Sequence, residues 1–175
     1  MAEAEKDSDN PLWRFSLAVY ATPGVEGECL ALQASYGIDV NVLLFCAWAG
    51  AQKGWRLSAD ELQGAQAAVR AWQAKVVEPL RSARRAIKAM SGVRDDRAAQ
   101  ELRCRIAADE LEAERIEQAL LFAQSSGVDA RPQAGDARPA EIVRANIALL
   151  LAPHDAALPQ VTMTAALHAA SSNRA

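Results

Sequence analysis

The chain has 175 residues, a formal net charge of −3 and a pI near 5.5. That length suits one domain able to bury a core without disulfide or metal support, and the acidic balance argues against a nucleic-acid binder, which is usually basic. At 51% apolar and 23% charged residues the composition is globular, and heavy use of alanine with few Tyr and Phe favours helix over strand.

Residues 1–9 are polar, carry no apolar segment of a secretory signal, and predict a disordered N-terminal tail. Asn10-Pro11 then reads as a cap followed by a first-turn proline, opening a helix that carries Leu12, Trp13, Phe15, Leu17, Val19 and Tyr20. Thr22-Pro23 repeats the signal for a second helix, stopped at Gly37. Asp39 caps a third, over about 40–51, whose side chains are apolar on nearly every side except Asn41. A helix apolar all round belongs in a core, and this one is too short for a bilayer, which takes roughly 20 apolar residues. Ser58-Ala-Asp-Glu61 is a capping box for a long helix with a stripe through Leu62, Ala65, Val69, Trp72, Val76, Leu80, Ala83 and Ile87. Pro79 predicts a kink or short break near residues 75–78. Ser91-Gly92 ends this segment. A further helix from about Asp96 to Gln124 places Leu102, Ile106, Ala113, Ile116, Leu120 and Ala123 on one face. Residues 125–139 read as a loop, and Pro139 opens a last core helix through Ile142, Ile147, Leu150 and Leu151. Beyond it, residues 152–175 form an alanine-rich tail with room for a short helix at 159–170. The fold class is therefore all-α: one irregular bundle of six or seven helices at 10–151 around the buried helix at 40–51.

Charge is segregated. Residues 81–105 hold eight cations against three acids, and residues 106–117 hold five acids against one arginine. If Ser91-Gly92 bends an antiparallel pair, Arg81 and Arg84 face the start of the second helix and Lys75 approaches Glu110. Arg81, Arg84, Arg85 and Lys88 share one helix face, a patch suited to a small anion or an acidic protein surface. Glu110, Glu114 and Glu117 form a row that reads as solvated; no Glu-x-x-His accompanies it, so no metal site and no cofactor are expected. Cys29, Cys46 and Cys104 are odd in number and widely spaced, the pattern of reduced thiols in a cytoplasmic protein. No phosphate loop or nucleophile elbow is present, and no catalytic residue is assigned. Asp39 and Asn41, at the mouth of the buried helix, read first as capping and pairing groups. A sharper reading joins them with Trp13, Trp48 and an arginine of the 81–85 cluster in a polar, aromatic-lined pocket.

Several ordered motifs carry a resemblance: Asn10-Pro11-Leu-Trp13-Arg-Phe15-Ser16; Asp39-Val-Asn41-Val-Leu-Leu44-Phe-Cys-Ala-Trp48; Val77-Glu78-Pro79-Leu80-Arg81 with Arg84-Arg85; Glu110-Leu-Glu-Ala-Glu114-Arg-Ile-Glu117; and Ala145-Asn146-Ile147. Over about residues 10–151 the chain resembles the proteobacterial family called domain of unknown function 2390. The resemblance implies a small bacterial cytosolic helical protein and carries no catalytic residue across. The positions matching its motifs, Trp13, Asp39, Asn41, Trp48, Arg81 and Arg85, are where a site is to be sought. Two functions follow as expectations: a non-enzymatic interaction or regulatory protein using the basic face at 81–88, or a small-ligand binder or enzyme with a pocket beside the central helix. Neither a membrane nor nucleic acid is expected as partner.

Overall fold

In a computed structural model of the protein, which describes residues 10–93, 95–125 and 138–172, every regular element is helical. The tail expected at 1–9 and most of the loop expected at 125–139 lie outside the described residues.

Helix α1 spans Pro11–Tyr20, with Asn10 Oδ1 accepting the Trp13 N–H at 2.9 Å. Helix α2 spans Val25–Tyr36, opening two residues later than Thr22-Pro23 suggests. The Val25 N–H bonds back to the Thr22 carbonyl, so Pro23 sits inside a turn, a position its fixed φ suits as well as a first helical turn. Gly24 completes that turn at φ +92°, a backbone region that side chains other than glycine's disfavour. Gly37 ends α2 in the left-handed region.

Helix α3, Val40–Ala51, is the central rod. Asp39 Oδ1 caps it by accepting from the Asn41 and Val42 N–H groups, and residues 41–51 are all buried. Helix α4, Ala59–Trp72, begins with the reciprocal Ser58/Glu61 capping box. It does not break at Pro79. It passes through one wide π-turn, Gln73–Val77, where the Glu78 N–H bonds to the Gln73 carbonyl five residues back, and continues as α5, Glu78–Ala89. The wider turn accommodates the proline ring and its missing donor. Helix α6, Arg97–Ala123, is capped by Asp96. Helix α7, Pro139–Leu151, lies along α3, and α8, Gln160–Ser172, packs on α1, α2 and α3. Glu28 of α2 accepts from the Val161 and Thr162 N–H groups at 3.1 and 2.8 Å. A carboxylate thus holds the start of α8, where the helix dipole favours negative charge. Ala165, Ala166 and Ala170 complete that contact in the core.

Two residues lock α3 to its neighbours. Asn146 of α7, fully buried, donates to the Cys46 and Trp55 carbonyls and accepts the Leu57 N–H, which pins residues 55–57. Gly50 lets α7 approach so closely that a Cβ there would lie 2.7 Å from the Val143 nitrogen and 2.9 Å from its Cα. Backbone atoms cannot step aside as a flexible side chain can. Gly50→Ala is therefore expected to destabilise the fold by upwards of about 2 kcal/mol, lowering the thermal midpoint by roughly 5–10 °C. A midpoint unchanged in a melt followed by circular dichroism would refute the close packing.

Helix α6 does not present the expected face. Leu102, Ile116 and Leu120 are 43, 37 and 38% exposed, whereas Glu110, Ala113, Glu117, Gln118 and Leu121 are buried. The acidic row, read from sequence as solvated, faces inward along Glu110 and Glu117. It can do so because the structure supplies partners for both carboxylates, described next. The pairing register also differs from expectation: Arg81 meets Glu110 and Glu114, well inside α6, and not the helix start.

Candidate functional site

The π-turn determines what α5 shows to α6. Along α4 the buried stripe is Leu62, Ala65 and Val69; regular spacing would continue it through Val76, Leu80 and Ala83. The extra residue in the turn moves it on by one, to Val77 and Arg81, with Arg84 half-buried beside them. Two guanidinium groups thus enter the α5–α6 interface. Arg81 is 7% exposed and donates from Nε to Glu110 Oε1 at 3.0 Å, and from its terminal nitrogens to Glu114 and Glu78. Arg84 bonds both oxygens of Glu110, from Nε to Oε2 and from Nη2 to Oε1 at 3.1 Å. Burial alone would push the Glu110 carboxyl up, but the hydrogen bonds from Arg84 and Arg81 outweigh it and hold Glu110 below its ordinary value. For Glu114, burial outweighs Arg81 and the carboxyl rises.

Beside these ion pairs opens a cleft of about 300 Å³ between α1, α2, the start of α3, α5 and α6. Its depth is polar: Ser16, Asn41, Arg81, Glu110 and Gln118, each less than a tenth exposed. Its rim is apolar and accessible, with Leu17, Leu30 and Leu111 at 50, 43 and 52% exposure, and Trp13 and Tyr20 between. Burial, reinforced by Cys29 and Glu114, raises the Tyr20 hydroxyl to about 12, so the phenol stays protonated. Arg85 lines the cleft, is exposed, and makes no ion pair among the described residues.

A file of buried hydrogen bonds leads inward from the cleft. Gln118 Nε2 donates to Asn41 Oδ1 at 2.8 Å, and Asn41 Nδ2 donates to Glu117 Oε2 at 3.0 Å. Glu117 is fully buried, and burial together with the adjacent Asp39 carboxylate raises its pKa to about 9. It is therefore neutral at pH 7. Its Oε1 has no hydrogen-bond partner among the described residues, and the Asp39 carboxylate nearby favours the protonated form.

Of the eight residues singled out in sequence, the structure brings Trp13, Asn41, Arg81, Arg84 and Arg85 to this cleft. Asp39 lines a separate depression with Gln73 and His154 and reaches the cleft only through Glu117 and Asn41. Trp48 is elsewhere: it is wholly buried against Phe45 and Phe122, its indole N–H donating to Gln52 Oε1 at 3.0 Å. Lys88 is exposed beyond the cleft. Ser16, Tyr20, Glu110, Glu114 and Gln118 were not assigned to a site from sequence. The legible signal was the opposition of two spacings, Arg81/Arg84 and Glu110/Glu114, once the two helices are laid antiparallel. Cys46 is sealed in the core, where burial lifts its thiol to about 12, against any nucleophilic use.

Among the described residues no group of three or more His, Cys, Asp or Glu is placed to hold a metal ion, and no helix is long and apolar enough to cross a membrane. No curated protein and no solved structure matches the chain. One family model, described as "Protein of unknown function (DUF2390)", matches residues 11–121, helices α1 to α6 and so the whole wall of the cleft. On that match, which covers more than half of its length, the chain belongs to the DUF2390 family.

Proposed function

We propose that this protein binds a small amphipathic molecule in the cleft between α1, α2, α5 and α6. The observation that carries this reading is a pair of buried polar atoms without partners, on two residues that line the cleft. Ser16 Oγ and Gln118 Oε1 belong to side chains 3 and 2% exposed, and neither has a hydrogen-bond partner among the described residues. Buried polar atoms left unpaired cost about 1–3 kcal/mol each, a cost a ligand group can remove. The accessible Leu17, Leu30 and Leu111 suit an apolar body, and Arg85 suits an anionic group at the mouth.

The alternative, an interaction protein using the basic face at 81–88, has less support. Arg81 and Arg84 are spent on Glu110 and Glu114, which leaves Arg85 and Lys88 as the outward cations of that face. Two exposed charges make a weak patch.

A panel of small carboxylates, amines and aminocarboxylates screened by thermal shift tests the cleft. Binders are expected to raise the midpoint of the native chain and to lose that effect in Leu111→Trp, which fills the mouth from an exposed position and leaves the fold intact. Binders that stabilise Leu111→Trp equally would place the site elsewhere, and a panel without binders would remove the reading.

A further inference from the structure

The cleft's hydrogen-bond file has a direction, and the direction selects the ligand. Asp39 Oδ1 is committed as an acceptor, because it caps α3 through the Asn41 and Val42 N–H groups. Glu117 Oε2 accepts from Asn41 Nδ2 at 3.0 Å, which turns the amide end of Asn41 toward Glu117. Asn41 is thereby oriented with Oδ1 toward Gln118, whose Nε2 donates to it. That leaves Gln118 Oε1, an acceptor, as the buried and unpartnered end of the file, on a residue that lines the cleft. Reversing either amide would set two N–H groups or two oxygens against each other somewhere along the file. Its polarity is also independent of whether Glu117 holds its proton, since Oε2 accepts from Asn41 in both states.

We infer that the ligand is a small zwitterion of the aminocarboxylate class, with an N–H donor seated against Gln118 Oε1 and its anionic group held at Arg85. The surroundings agree. Glu114, half-buried, receives its described hydrogen bond on Oε1 alone, from Arg81, so Oε2 adds a second acceptor beside the cleft. Ser16 Oγ can accept as well. The indole of Trp13 and the ring of Tyr20 offer faces on which a cationic head is favoured. The titratable and charged groups lining the cleft are Arg81, Arg84 and Arg85 against Glu26, Glu110 and Glu114, three of each sign, with neutral Tyr20. Such a lining neither repels nor demands net charge, the balance that a zwitterion matches and that a simple cation or anion does not.

This inference rests on the cleft reading, and matched pairs separate the two. The probes are 6-aminohexanoate against hexanoate, and phenylalanine against 3-phenylpropanoate, titrated into the full chain by calorimetry and followed by amide chemical shifts. The amino member of at least one pair is expected to bind about tenfold or more tightly than its partner. Gln118→Met, which keeps the volume and removes the acceptor, is expected to erase that preference while the desamino probe binds unchanged. Arg85→Ala, at an exposed position, is expected to weaken both members of the pair equally. If the desamino acids bind as tightly as the amino acids, with shifts at the cleft, the donor inference is overturned and the cleft reading stands. If no probe perturbs cleft resonances, both are overturned. Should Gln118→Met fail to fold, the native chain serves in its place: the amino probe is expected to shift the side-chain amide resonances of Gln118 and the desamino probe is not, and equal shifts from both overturn the inference.

Discussion

Glu117→Gln is expected to make the protein more stable than the native sequence above neutral pH, with the advantage growing as pH rises. The native side chain is buried and neutral, with its pKa near 9 against an ordinary value of 4.5. Between those two values the folded state holds one proton that the unfolded chain has released, so stability falls with pH by roughly 1 kcal/mol per unit. The stabilisation is complete below about 4.5 and is lost as pH climbs through about 9. Glutamine reproduces the neutral acid: its carbonyl accepts from Asn41 as the carboxyl does, and it has no proton to lose beside the Asp39 carboxylate. Urea unfolding of both chains at pH 5, 7 and 9 should give a difference near zero at pH 5 that widens to a few kcal/mol at pH 9. A constant difference across the range would mean that Glu117 is ionised in the fold and that its burial is compensated in another way.

Arg81→Ala is the second large effect, in the opposite direction. The guanidinium lies between two carboxylates in the α5–α6 interface, and removing it strands Glu114 and weakens the hold on Glu110. Removing one partner of a buried pair costs about 3–5 kcal/mol, most of it from the charge left behind. Adding Glu114→Gln to Arg81→Ala is expected to recover part of the loss, since the stranded charge disappears with it. Arg85→Ala, four residues on and exposed, should stay within about 0.5 kcal/mol of native. An Arg81→Ala cost below that of an exposed pair, about 1 kcal/mol, would mean the interface is wetter than its geometry shows. Charge reversal across Arg81, Arg84 and Arg85, an obvious test of a basic docking face, therefore confounds binding with folding.

Local chemistry made much of this molecule readable in advance. Asn10, Asp39, Ser58 with Glu61, and Asp96 all open helices through the short-range capping that their side chains allow, Pro139 opens one as a first-turn proline, and the apolar run at 40–51 is the buried rod. Pro23 was misleading because the same fixed φ serves a turn and a helix start. The inner face of α6 was misread for a tertiary reason. Apolar periodicity favours Leu102, Ile116 and Leu120, and only the arrival of Arg81, Arg84 and Asn41 opposite makes Glu110 and Glu117 the cheaper residues to bury. The cleft was half visible for the same reason. Trp13, Asn41 and the arginines stand out as residue types, whereas Ser16 and Gln118 matter through what they fail to bond, which only assembled helices reveal.

The wide turn at Gln73–Val77 has a bearing on how such chains can vary. A wide turn takes up one residue more than a regular α-helical turn, so every position downstream keeps its facing although the chain is one residue longer. A relative lacking one position there would run through as a regular helix and still carry both guanidinium groups inward. One of the same length that closed the turn to regular spacing would instead bring Leu80 and Ala83 toward the interior and put both guanidinium groups out in water. Comparison of related chains across this stretch must accordingly allow a one-residue gap between Trp72 and Arg81 before the two arginines are judged absent.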